Sequence, residues 1–294
     1  MTAPQVTTGR WELLRALGAV ADSPAAARAV APVLGLGTIS DAGHTEAFVL
    51  NAPPYAAVYL GPEGALGGEG ADRVAGFWRA IAIAPPAEPD HLSALLALYA
   101  HLGEAAAEAH RPATAAALAG FRAALLAEHL WPWLPAYLDA VTDLGLPPLT
   151  AWAALTRHAL RAERAAHQPA RPLPLALRLA PGGLEPGDRL RDLAGVLTTP
   201  VRSGMILTRH GLARGAGQAG VGHRIGERRF TLRAMLEQDP AATLCWLEAE
   251  ARRWRQRHDR RVPCDEVSRW WASRAARTAQ ILRVLRPPPQ TTST

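Results

Sequence analysis

At 294 residues and 49% apolar composition, the chain can bury one large core, or a core with an appended module. Its two cysteines, Cys245 and Cys264, lie outside any C-x-x-C spacing, which argues against a disulfide framework or a cysteine-built zinc site and for a reducing compartment. All 32 basic residues are arginine, so a single arginine is weak evidence of function, but their placement is uneven: residues 1–167 hold ten Arg against fifteen Asp and Glu, and residues 168–294 hold twenty-two against eleven.

The first twenty residues carry Arg10, Glu12 and Arg15 within their only apolar stretch and lack the long apolar segment and small-residue cleavage site of a secretory signal. No run approaches the roughly 18 apolar residues of a membrane span. A soluble cytoplasmic protein is the expectation. Ser23-Pro24 and Asp239-Pro240 each read as an N-cap followed by proline in the first helical turn, and Pro112 and Pro263 can open helices in the same way. Leu92, Leu95, Tyr99 and Leu102 make one apolar stripe at helical spacing, as do Leu244, Leu247, Ala251 and Trp254, while Leu118, Phe121 and Leu125 repeat its first steps. Trp78, beside Phe77 and Ile81 in a helical run, reads as core. Alternating strand patterns are nearly absent and alanine is abundant, so the fold class is all-α.

Between His167 and Asp188 stand five prolines and three glycines, which cannot sit together inside helices. The expected organisation is therefore a helical domain over 1–167, a Pro/Gly-rich linker over 168–187, extended in part from Leu173 to Leu179, and a basic helical module over 188–294.

Several apparent motifs carry little weight. Gly215-x-Gly217-x-x-Gly220 matches a dinucleotide fingerprint, but Thr208 to Arg214 before it reads as a short helix where the mechanism needs a strand, so a flexible glycine loop is expected. Arg228-Arg229-Phe230-Thr231-Leu232 lies too deep in the chain for an export signal and reads as the polar start of a helix running to Leu236. His101, Glu104 and Glu108 share one helix with no matching ligand pair, which suggests a solvated face and not a metal site. No G-x-S-x-G elbow or Walker loop is present, so neither catalytic residues nor a cofactor are expected.

The informative residues are Glu88-Pro89-Asp90-His91-Leu92 and, some forty positions on, Glu128-His129-Leu130-Trp131-Pro132-Trp133 with Tyr137. Both set carboxylates, imidazoles or indoles at the ends of apolar helical patterns, where a groove could present them to an extended peptide. Together with Tyr55–Gly64 and Gly76-Phe77-Trp78-Arg79, and in that order, they resemble the TorD, DmsD and NarJ group of redox-enzyme maturation chaperones over about Pro53 to Leu160. The E-P-x-D-H-like hinge of that group is here one residue shorter between Pro89 and Asp90.

The resemblance implies a multi-helix TorD-like fold, here with a C-terminal helical extension. It implies a cytoplasmic chaperone that holds the apoprotein of a molybdopterin oxidoreductase, often by its twin-arginine leader, until cofactor insertion and export. On this reading Glu88 and Asp90 pair with leader guanidinium groups, His91 tunes the hinge, Glu128 adds a carboxylate, and Trp131, Trp133 and Tyr137 receive apolar side chains. The structural alternative is that Asp90 caps its own helix and the tryptophans fill core. For the arginines at 252, 253, 255, 257, 260 and 261 the expectations are a solvated face, or an acidic surface on the client. A DNA-binding regulator using Leu207–Arg214 and Gly226–Leu236 is the alternative function, disfavoured by the long glycine-rich turn and the scarcity of Asn and Gln there. An enzyme resting on the glycine fingerprint is the weakest reading.

Overall fold

Polar caps and prolines set where the helices begin. Ser23 Oγ accepts from the Ala26 amide and Asp239 Oδ1 from the Ala242 amide, each ahead of a proline that needs no donor of its own. The computed structural model describes residues 3–166, 172–261 and 264–286, which form sixteen α-helices and two π-helical stretches with no strand among them. Pro263 lies outside the described residues; the last helix is capped by Asp265, whose Oδ1 accepts from Ser268 N at 3.0 Å. The chain divides into two compact units, Met1–Leu179 and Ala180–Thr294.

The first unit runs through α1 (Ala3–Asp22), α2 (Pro24–Val33), α3 (Asp41–His44), a π-helical stretch Thr45–Asn51, α4 (Ala56–Leu60), α5 (Gly68–Ala80), α6 (Leu92–Glu108) and α7 (Pro112–Leu125). A second π-helical stretch, Leu126–Leu130, then leads into α8 (Leu134–Thr142), α9 (Pro147–Ala166) and α10 (Leu175–Arg178). α6 is central, packed against α1 on one side and α7 on another. Its stripe Leu92, Leu95, Tyr99 and Leu102 is wholly buried, as the period requires. Close approach of α1 to α6 depends on Gly103, where a Cβ would stand 2.6 Å from the Trp11 ring. The pair is tied at its edge by Arg15, whose guanidinium forks onto Glu104, so Glu104 is an interhelical partner and not simply a solvated side chain. Deeper in, Glu163 of α9 is nearly inaccessible and receives both Arg10 and the Tyr99 hydroxyl, the latter at 2.7 Å. On α7, only Leu125 is buried and Phe121 is exposed, so the Leu118–Phe121–Leu125 stripe is not a core face.

The second unit contains α11 (Leu190–Leu197), α12 (Pro200–Ser203), α13 (Arg209–Ala219), α14 (Arg228–Gln238), α15 (Pro240–Asp259) and α16 (Glu266–Leu285), with α15 and α16 forming its most extensive pairing. Leu244, Leu247, Ala251 and Trp254 are buried as the period predicts. His258 lies between the rings of Trp254 and Trp271, at 5.6 and 5.8 Å, and its Nε2 meets the Gly204 carbonyl at 3.0 Å.

Two sequence expectations are corrected here. Gly215 and Gly217 belong to α13 and not to a loop; Gly220, in the left-handed region at φ 68°, ends that helix. Gly215 is required because the Trp246 ring occupies the place its Cβ would take. The stretch from Leu173 to Leu179 is not extended: Leu175–Arg178 is a helical turn with Ala176 and Leu177 buried. Residues 168–171 of the expected linker lie outside the described residues.

Candidate peptide-binding site

The Glu88–His91 turn is built by an exchange of backbone bonds with the segment before α4. Ala56 N donates to the Asp90 carbonyl at 3.0 Å, and Leu92 N donates to the Pro54 carbonyl at 2.8 Å, which brings Tyr55 opposite His91 as an isolated bridge. Asp90 Oδ2 accepts from the Ala57 amide at 2.9 Å. Asp90 therefore does not cap its own helix: it satisfies two orphan donors at the start of α4, and the cap of α6 is His91, whose Nδ1 accepts from Ser93 N at 3.2 Å. Trp78 of α5, buried as expected, seals the turn from beneath by donating from Nε1 to the Pro89 carbonyl at 3.1 Å.

Around this turn the charges converge. The Tyr55 and His91 rings meet edge-on at 4.7 Å. His91 Nδ1 lies 2.7 Å from Ser93 Oγ, which donates to Asp22 Oδ1 at 2.8 Å. Glu88 and Asp22 are exposed, Tyr55 is half-buried, and Asp90 and His91 are buried. Burial, reinforced by Glu88 hydrogen-bonded to its hydroxyl and by the nearby Asp90 and Asp22, pushes Tyr55 up to about 12. Burial also raises Asp90, against the opposing hydrogen bonds from backbone amides, and lowers His91, against the pull of Asp22, Glu88 and Asp90. A phenol and a neutral imidazole thus sit beneath a rim of two exposed carboxylates, an arrangement complementary to a guanidinium group. Sequence reasoning missed Asp22, Tyr55 and Ser93. A signal for Tyr55 existed, since it opens the Tyr55–Gly64 segment; Asp22, at the far end of α1, offered none.

The second group stands differently. Trp133 and Tyr137 are wholly buried and spend their rings on neighbours: Trp133 stacks on Tyr59 at 5.2 Å with planes 5° apart, and Tyr137 meets Tyr59, Trp133 and Trp152 edge-on. Neither is open to a peptide in this conformation. Trp131 is buried under the Arg164 guanidinium, 5.5 Å from its ring. Glu128 is half-buried and accepts from Leu175 N at 2.8 Å. The two groups are linked through α5, where Trp78 holds Pro89 and its neighbour Phe77 packs on His129 at 4.9 Å.

Residues 41–139, from the first residue of α3 into α8, match the family model described as nitrate reductase delta subunit. This segment is similar to that family. Every residue singled out from the two motifs falls within it, and Asp22 does not. The nitrate reductase delta family, which includes the NarJ-type proteins, consists of chaperones for molybdoenzyme maturation, and the match supports the resemblance drawn from the sequence. The comparison with curated proteins finds no match. Among the described residues, no helix is long and apolar enough to cross a membrane, and no three His, Cys, Asp or Glu side chains are grouped to hold a metal ion.

Proposed function

We propose that the chain is a cytoplasmic, non-enzymatic chaperone that binds the apoprotein of a molybdopterin oxidoreductase before cofactor insertion and export, and that it grips the twin-arginine leader at the rim around Tyr55. The reading rests on one observation above all: exposed Asp22 and Glu88 flank a Tyr55–His91 ring pair, and among the described residues no arginine is paired with either carboxylate. A leader arginine laid there gains charge-assisted hydrogen bonds and a ring face to pack on. Asp90 and His91 act beneath the rim as positioning residues, Asp90 by holding α4 and His91 by capping α6. Trp133 and Tyr137 keep the floor of the site rigid, while Glu128 and Trp131 flank its second motif.

Calorimetric titration tests this. A twin-arginine leader peptide should bind with an affinity that falls as the Debye length shrinks to about 3 Å near 1 M salt. The double variant Asp22→Asn, Glu88→Gln should lose about tenfold. Equal affinity for a peptide whose two arginines are replaced by alanine would sink the proposal.

A further inference from the structure

In the second unit, the arginine run at 252–261 is less available than its sequence suggests. Arg252 pairs with Glu248, Arg253 with Glu250 and Arg255 with Asp259, the last at 3.5 Å, while Arg214 and Arg286 also reach Glu250 and Glu248. A second group of arginines in this unit has no such carboxylate among the described residues. Arg202, from α12, donates through Nε to the Gly182 carbonyl at 2.9 Å, and Arg274, from α16, donates through Nη1 to the adjacent Pro181 carbonyl at 3.1 Å. Gly183 passes between them, where a Cβ would stand 2.8 Å from the Arg202 carbonyl and 3.3 Å from Arg274 Nη1. Arg277 follows Arg274 on the outer face of α16, and Trp270, one turn earlier, carries the Arg274 guanidinium 4.9 Å above its ring. None of Arg202, Arg274 and Arg277 has a carboxylate within ion-pair distance among the described residues.

We propose that Arg202, Arg274 and Arg277 form a binding site for a terminal phosphate group. Two of the three guanidinium groups are held by backbone carbonyls through one N–H each, which fixes their direction and leaves the remaining donors for a ligand. Burial and the neighbouring charges of Arg277 and Arg202 both lower Arg274, the signature of cations crowded without a counter-charge. A phosphate monoester, with close to two negative charges and three terminal oxygens, matches three guanidinium forks in a way that a single carboxylate cannot. A nucleic-acid backbone calls for a longer row of unpaired arginines than these three provide.

The experiment is titration of the full chain at about 0.15 M salt with two probes, inorganic pyrophosphate and a short phosphoserine peptide, with the unphosphorylated peptide as control. Binding of either phosphate-bearing probe, about tenfold or more weaker in Arg277→Gln and unchanged in Arg255→Gln, is the expected result; Arg277 anchors no backbone group, so its variant keeps the fold. Binding of pyrophosphate alone assigns the site to a soluble ligand, and binding of the phosphopeptide alone to a modified protein. No binding of either probe, equal loss in both variants, or equal affinity for the unphosphorylated peptide overturns the proposal, as does tighter binding of a random DNA duplex.

Discussion

The Asp90 carboxylate and the Ala57 amide meet at 2.9 Å, so a side chain just before α6 caps the first turn of α4. Because the same residue's carbonyl takes the Ala56 amide, the start of α4 and the turn leading into α6 share one anchor.

Replacing Asp90 by alanine leaves the buried Ala57 amide without an acceptor and should cost about 1–3 kcal/mol, whereas Asp90→Asn keeps an acceptor oxygen. Burial raises this carboxyl on folding, so the folded state binds the extra proton and wild-type stability falls as pH rises from the unfolded value of 3.8 through the raised folded one. The asparagine variant lacks that fall. Urea melts of the three proteins at pH 4 and pH 7 check both statements; equal stability of the alanine and asparagine variants would show that the bond to Ala57 does not matter.

His129 carries the opposite sign. Burial, with Arg73 adding to it, lowers this imidazole to about 4, so the unfolded chain takes up the proton first. The stability it confers is complete above pH 6.5 and is lost as pH falls from 6.5 to about 4, by roughly 3 kcal/mol. His129→Gln should flatten that part of the pH profile of unfolding, and an unchanged profile would refute the assignment.

Two glycines in neighbouring helices should respond in opposite directions. Gly103→Ala drives a methyl into the buried Trp11 ring and should cost about 1–3 kcal/mol. Gly120→Ala, on the exposed face of α7 with nothing within 4 Å, should raise stability by about 0.5–1 kcal/mol. Thermal melts of the two variants decide the point.

In the second unit, Glu250 is nearly inaccessible and takes Arg253, Arg214 at 3.4 Å and the Trp254 indole at 3.1 Å. Glu250→Ala strands two cations and a buried donor, and should destabilise by about 3–5 kcal/mol. Chemical denaturation measures it; a loss below about 1 kcal/mol would mark the network as a surface one.

Much of this protein was legible from local signals. The all-α class, the caps at Ser23 and Asp239, and the buried stripes of α6 and α15 follow from period and capping chemistry, which act over a few residues of chain. The Glu88–His91 motif was likewise visible as a cluster of charged and imidazole groups. What only the tertiary structure decided are the pairings between distant segments. Asp90 caps α4 and not its own helix, because Pro54 and Leu92 exchange a backbone bond across the turn. Asp22 joins the site through Ser93 from the end of α1. Trp133 and Tyr137 are core because Tyr59 and Trp152 cover them, and Gly215 lies within α13 with the Trp246 ring in the space its Cβ would take. Arg252 and Arg253 of the arginine run are neutralised because Glu248 and Glu250 lie one turn away, while Arg202 from α12 and Arg274 from α16 meet at the Pro181 and Gly182 carbonyls. Periodicity and capping report what a residue does to its own helix; which helix it meets depends on packing, and packing is set by the whole chain at once.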